Sequence, residues 1–222
     1  PSGSGNPYST IASVNTPGYV DTNLSTTNAY FYQVIAANSA GQSTASAPVS
    51  ATPTGDVPIN GWLPGDIGPV GIPGSTKLVN GAYSIGASGV DITGTSDSFR
   101  FVRRDFSGDG VLLAKVTSLQ NSNSWAKAGV MFRATDDADS AHASMFVTPG
   151  HGVTFQWRTS AGSNAASNFT TAGGSAPIWV KLVRSGNTFT GYSSTDGITW
   201  TSRGSATISM PSAVKAGLAV TS

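Results

Sequence analysis

The sequence contains no cysteine, which excludes disulfides, thiolate nucleophiles and cysteine-ligated zinc together. It contains no glutamate either: all 11 acidic residues are aspartates, so any mechanism that needs a glutamate nucleophile or general acid is excluded. Charge of either sign is scarce, with 10% charged residues and a formal net charge of +1. No basic run is denser than the pair Arg103-Arg104, so the chain as a whole lacks the long-range field that gathers a polyanion, and nucleic acid is not an expected partner. No stretch approaches the roughly 18 consecutive apolar residues of a membrane span. Neither an initiator methionine nor a signal-peptide pattern opens the chain, and the expectation is an excerpt of a processed or longer polypeptide that is extracellular or at the cell surface and does not insert into a membrane.

What the chain does have is 27 glycines and a heavy serine, threonine and asparagine load separating short apolar runs, the composition of many strands joined by many turns. Helix is expected to be scarce. The run Ala29 to Ala37, AYFYQVIAA, places Tyr30, Tyr32, Val34 and Ala36 on one face at period two, and a second short strand fits Ala45 to Ala51. A Pro/Gly-containing polar stretch, Thr52 to Pro58, then reads as a connector. From Trp62 onward strand signals recur at Ser98 to Arg104, Gly110 to Ser118, Trp125 to Ala134, Ala141 to Thr148, Val153 to Ser160, Ile178 to Arg184 and Thr188 to Ser194. The turns Ser107-Gly108-Asp109-Gly110 and Ser194-Thr195-Asp196-Gly197 carry the Asp-Gly pair of tight hairpins, which makes Asp109 and Asp196 turn residues first.

Two resemblances follow from these motifs. Leu24, Tyr30, YFYQVIAANSAGQS and the closing SAPVSATP together resemble the latter half of a fibronectin type III sandwich, over about residues 8 to 53. The resemblance implies that Tyr30 is the corner tyrosine, a scaffolding role. The motifs GDIGPVG, SGVDITGTSDSFRFV, SGDGVLLAKVTSLQNSNSWAKAGVMFR, HGVTFQWRTSAG and IWVKLVRSGNTFTGYSSTDGITW, spread over residues 62 to 222, resemble the concanavalin-like, laminin-G-like jelly-roll modules of large secreted bacterial proteins. The expected organisation is therefore all-β: a partial fibronectin type III-like domain over 1–55, a linker over 56–61, and a jelly-roll sandwich over 62–222 that lacks the last strand of its family.

Concanavalin-like glycosidases carry paired carboxylates on alternate residues of one strand. Here the only clustered acids are Asp136, Asp137 and Asp139, in what reads as a loop, so catalysis is not expected. The same three aspartates are the one candidate calcium site, with a solvated loop as the plainer reading. No other cofactor is expected. His142 and His151 lack the spacing and companions of a zinc site or a catalytic triad.

Sugar recognition asks for a flat aromatic platform and planar hydrogen-bonding groups on a rigid surface. Trp125, Trp157 and Trp179 fall in strands that also offer Arg133, Gln156, Arg158 and Lys181, whereas Trp200 follows the Asp-Gly turn and is expected to pack beneath that hairpin. Parity divides Val153, Phe155 and Trp157 from Thr154, Gln156 and Arg158, the apolar set facing the core. It also puts Trp179 with Lys181 opposite Val180 and Leu182, toward the concave surface. The candidate carbohydrate-binding residues are Trp179, Lys181, Arg158, Gln156, Arg133 and His142. The leading expectation is a non-catalytic, lectin-like module for a glycan or polysaccharide. The competing one is a structural repeat of an adhesin or extracellular filament, in which neighbouring copies donate strands to complete each sandwich.

Overall fold

A computed structural model of the chain describes residues 8–15, 19, 21, 28–52, 59–170 and 174–222. The described residues hold strands and no helix, and they divide into two compact units at Gly55/Asp56.

The first unit contains β1 (Tyr30–Tyr32), β2 (Ala37–Asn38), β3 (Gly41–Gln42) and β4 (Val49–Ala51). β1 pairs antiparallel with β4, Tyr30 opposite Ala51, and β2 with β3 forms the tip of the same long hairpin. Between those pairs two serine hydroxyls take the place of backbone acceptors: Ser46 Oγ accepts from the Val34 amide at 3.1 Å and Ser43 Oγ from the Ala36 amide at 3.0 Å. The apolar alternation read over Ala29 to Ala37 is therefore one hydrogen-bonded ribbon, although only Tyr30–Tyr32 and Ala37 are regular strand there. No described residue of this unit is buried, and Val34 is 72% exposed. Leu24, the expected partner of Tyr30, lies outside the described residues.

The second unit is a two-sheet sandwich built from β5 (Leu63–Ile67), β6 (Ser75–Val79), β7 (Ala82–Gly86), β8 (Phe99–Ser107), β9 (Gly110–Val116), β10 (Ala128–Arg133), β11 (His142–Thr148), β12 (Gly152–Arg158), β13 (Ala166–Thr170), β14 (Ile178–Ser185), β15 (Thr188–Ser194), β16 (Thr201–Thr207) and β17 (Ala213–Val220). Seven strands form one antiparallel sheet in the order β13-β12-β11-β10-β17-β8-β5, and four form the other, β16-β15-β14-β9. β6 and β7 make a separate hairpin. Residues 59–61, within the expected linker, belong to a tight turn: Ile59 and Trp62 exchange backbone hydrogen bonds of 2.7 and 3.0 Å around Asn60 and Gly61, both at positive φ. The Tyr83 hydroxyl fixes this turn by donating to Ile59 O at 3.0 Å.

Alternation explains the layering. Val130, Phe132, Met145, Val147, Val153 and Phe155 of the large sheet meet Ile178, Val180, Leu182 and Phe189 of the small one, forming the main core between the sheets. The large sheet is covered on its far face as well, where Phe99, Phe101, Met131, Phe146 and Ala219 pack with Ile67 and Ile92. This is why β10 and β11 are buried at every residue. β9 and β14, with only one face covered, alternate instead.

Candidate functional site

In β14, IWVKLVRS, the branched residues Ile178, Val180 and Leu182 point into the core, which forces Trp179, Lys181 and Val183 to the outer face of the four-stranded sheet. Antiparallel register then sets their neighbours. Trp179 lies opposite Lys115 on β9, and Lys181 lies between Leu113 on β9 and Tyr192 on β15. The lysines rest on aromatic faces: Lys181 Nζ is 4.0 Å from the Trp200 ring centroid and 4.7 Å from that of Tyr192, and Lys115 Nζ is 5.6 Å from that of Trp179. Val111 and Leu113, 54% and 53% exposed, complete an amphipathic surface on rigid strands.

The hairpin after β15 braces this surface. Asp196 accepts from the amides of Ile198 (2.8 Å) and Thr199 (2.7 Å) and from the Ser194 hydroxyl (2.7 Å). Those bonds hold its carboxyl well below the usual carboxylate range, the Ile198 amide contributing most. Gly197, at φ 78°, packs against the Trp179 indole, so the turn supports Trp179. Trp200 is half-buried and stands over Lys181 on the outer face.

The other four candidates lie elsewhere. Parity places Gln156 and Arg158 on the face of β12 away from the main core, as read from sequence, and Arg133 and His142 share that face of the large sheet. This face is not open. The segments 88–98, 134–141 and 159–165 close over it, linked by bonds from Asp97 N to Ala138 O (2.8 Å), Gly162 N to Asp139 O (2.9 Å) and Ala165 N to Gly94 O (2.7 Å). Beneath them Arg133, His142, Gln156 and Arg158 are all buried, a correction to their assignment as sugar ligands. Asp97 is what the two arginines serve. Arg158 grips its carboxylate bidentately at 2.6 and 2.8 Å, and Arg133 adds a third bond at 2.6 Å. Arg158 further donates to the carbonyls of Ser140, Ser163 and Gly94, Arg133 to Asp137 O, and Gln156 to Ile92 O. Burial pushes the Asp97 carboxyl up, but the Arg158 hydrogen bonds, with His142 and Arg133 beside it, outweigh that and hold it below its ordinary value. His142 hydrogen-bonds through Nδ1 with Ser144 Oγ at 3.2 Å, and burial, reinforced by Arg133 and Arg158 against the pull of Asp97, drives its pKa down to about 3. It is a neutral imidazole in a sealed site.

The calcium candidate is corrected too. Asp136 is held by Arg103 at 2.6 Å and Asp137 by the Thr135 hydroxyl at 2.8 Å, so two of the three carboxylates are engaged separately. Among the described residues no group of three or more His, Cys, Asp or Glu side chains is placed to hold a metal ion. Trp125 lies outside β10, in a loop, stacked on His151 with ring centroids 3.4 Å apart.

Lys115, Tyr192 and Trp200 are members of the outer surface that sequence reasoning did not assign to it. Tyr192 carries a period-two signal, since Phe189, Gly191 and Ser193 are buried and Thr190 and Tyr192 are not. Its partnership with Lys181 is a matter of register and has no local signal.

No family model matches the chain, and no curated protein sequence matches it. Among solved structures, a protein of unknown function from Saccharomyces cerevisiae is similar with a TM-score of 0.50 and 16% identity, over 67% of this chain and 82% of its own. That likeness is one of fold.

Proposed function

We propose that the chain is a non-catalytic glycan-binding part of an extracellular or cell-surface protein, and that the outer face of the four-stranded sheet holds the sugar. The observation that carries this reading is the convergence of Trp179, Tyr192 and Trp200 with Lys115 and Lys181 on one braced strand surface. Indole and phenol rings offer apolar faces to a pyranose, and ammonium groups beside them donate to its hydroxyls. The resemblance of residues 62–222 to concanavalin-like modules, and of residues 8–53 to a fibronectin type III domain, agrees with such an accessory role. Strand-borne side chains need little ordering on binding, which favours a surface platform over a deep pocket.

The test is a glycan array followed by titration with the best ligands. Trp179→Ala and Trp200→Ala, each checked for native circular dichroism, are expected to weaken binding at least about tenfold, as loss of a central aromatic anchor does. Failure to bind any glycan, or equal affinity in both variants and the parent, would sink the proposal.

A structural-repeat reading is favoured by one separate feature. β9 is an edge strand of seven residues, paired only to β14 among the described residues, without bulge or proline and with a single charge, Lys115. Such an edge is a template for strand addition. If neighbouring units use it, sedimentation should show concentration-dependent assembly that Leu113→Lys abolishes. A parent protein that stays monomeric at high concentration would count against this role.

A further inference from the structure

We infer that the saccharide taken by the outer face of the four-stranded sheet is acidic, bearing carboxylate or sulfate groups; this rests on the glycan-binding reading above. The charge layout is the reason. At the outward register positions of the sheet, Val111, Leu113 and Lys115 on β9, Trp179, Lys181 and Val183 on β14, and Thr190 and Tyr192 on β15, the only charged side chains are the two lysines. β16 adds Ser202 and Ser205 beside Tyr192 and Thr190. Trp179 sits opposite Lys115 and Lys181 follows two residues on, so the lysines occupy diagonal positions on adjacent strands, with backbones roughly 7–8 Å apart.

Six cations of this unit meet anions: Arg100 with Asp66, Arg103 with Asp136, Lys127 with Asp91, Lys215 with Asp105, and Arg133 and Arg158 with Asp97, while Arg184 is spent on backbone carbonyls and Arg203 of β16 donates to the Ser193 hydroxyl. Lys115 and Lys181 form no ion pair among the described residues and rest on rings instead. The two acids nearest in sequence to this surface are committed to turns, Asp109 accepting from the Gly186 amide at 2.6 Å and Asp196 from its own loop. A neutral sugar would leave both ammonium groups without a counter-charge, whereas an acidic one brings an anionic group to them while its ring stacks on Trp179 or Trp200. The attraction is short-range. It is consistent with a chain whose net charge is only +1.

Isothermal titration of the intact chain with polygalacturonate, with its fully methyl-esterified form, with dextran sulfate and with inorganic polyphosphate tests the inference. Binding to polygalacturonate or dextran sulfate is expected, the stronger of the two identifying carboxylate or sulfate as the acid. The Lys115→Met/Lys181→Met double variant should lose at least about tenfold, and Lys181→Arg should retain affinity. Esterification should cost a similar factor. Equal affinity for the esterified and free polymers, with Trp179→Ala still damaging, overturns the acidic class and leaves the glycan reading standing. Equal binding of polyphosphate, which has no ring to stack, overturns it as well, and absence of binding to every saccharide removes both.

Discussion

Replacing Asp97 by asparagine is expected to destabilise the sandwich by about 3–5 kcal/mol, the usual result of stripping one partner from a buried ion pair. Asp97, Arg133 and Arg158 have fully buried side chains, and the single carboxylate accepts three guanidinium bonds. Asparagine keeps the shape but turns an amide N–H₂ toward the arginines and leaves two positive charges without a counter-ion. For a domain of this size the melting temperature should fall by roughly 6–20 °C, read by calorimetry. An Asn variant that melts with the parent would show that the backbone carbonyls around Arg158 suffice. The contrasting variant replaces Asp97, Arg133 and Arg158 together by apolar residues of similar volume; it should lose far less than Asp97→Asn, because the desolvation cost of the ions disappears along with their attraction.

Acid should destabilise the fold well above the pH at which carboxylates protonate, and His142 is the cause. In the folded protein its pKa is about 3, against an ordinary 6.5, so the native imidazole stays neutral while the unfolded chain takes up a proton below about pH 6.5. Its contribution is complete above that pH and is lost as pH falls toward 3, at up to roughly 1.4 kcal/mol per unit. Between pH 7 and pH 4 the loss is about 3 kcal/mol by the same linkage. Asp97 acts in a lower window. Its depressed carboxyl contributes stability above the unfolded aspartate value, and that stability goes as pH falls through the lower folded one. Urea unfolding at a series of pH values separates the two: His142→Asn should flatten the pH 4–7 limb and leave the steeper acid limb in place. An unchanged slope in the variant would mean that His142 takes its proton without unfolding.

Both predictions concern a buried cluster whose Arg133, His142 and Arg158 were, read from sequence, candidate ligands. The alternation of VTFQWR assigned Gln156 and Arg158 to the face away from the core, and that is where they are. What local pattern does not contain is the cover. Residues 88–98 come from far upstream, and only the folded chain brings Asp97 over Arg133 and Arg158. A planar, bidentate side chain suits a sugar and a buried aspartate equally well, so residue type alone does not separate a ligand from a structural ion pair. Trp179 and Lys181 lie instead on a face where, among the described residues, the outward positions of β9 and β14 are only partly buried or exposed.

The all-β class, the turns at Asp109 and Asp196 and most central strands from Phe99 onward were set by the sequence itself, through period-two alternation bounded by glycine and aspartate. So were the absences, with no thiol and no glutamate for chemistry. Tertiary structure alone decided which outward face stays open, because exposure depends on layers contributed by distant segments. It also decided that Lys115, Lys181, Trp179, Tyr192 and Trp200 form one surface, since register between strands is fixed by the packing of their buried neighbours and not by the residues displayed.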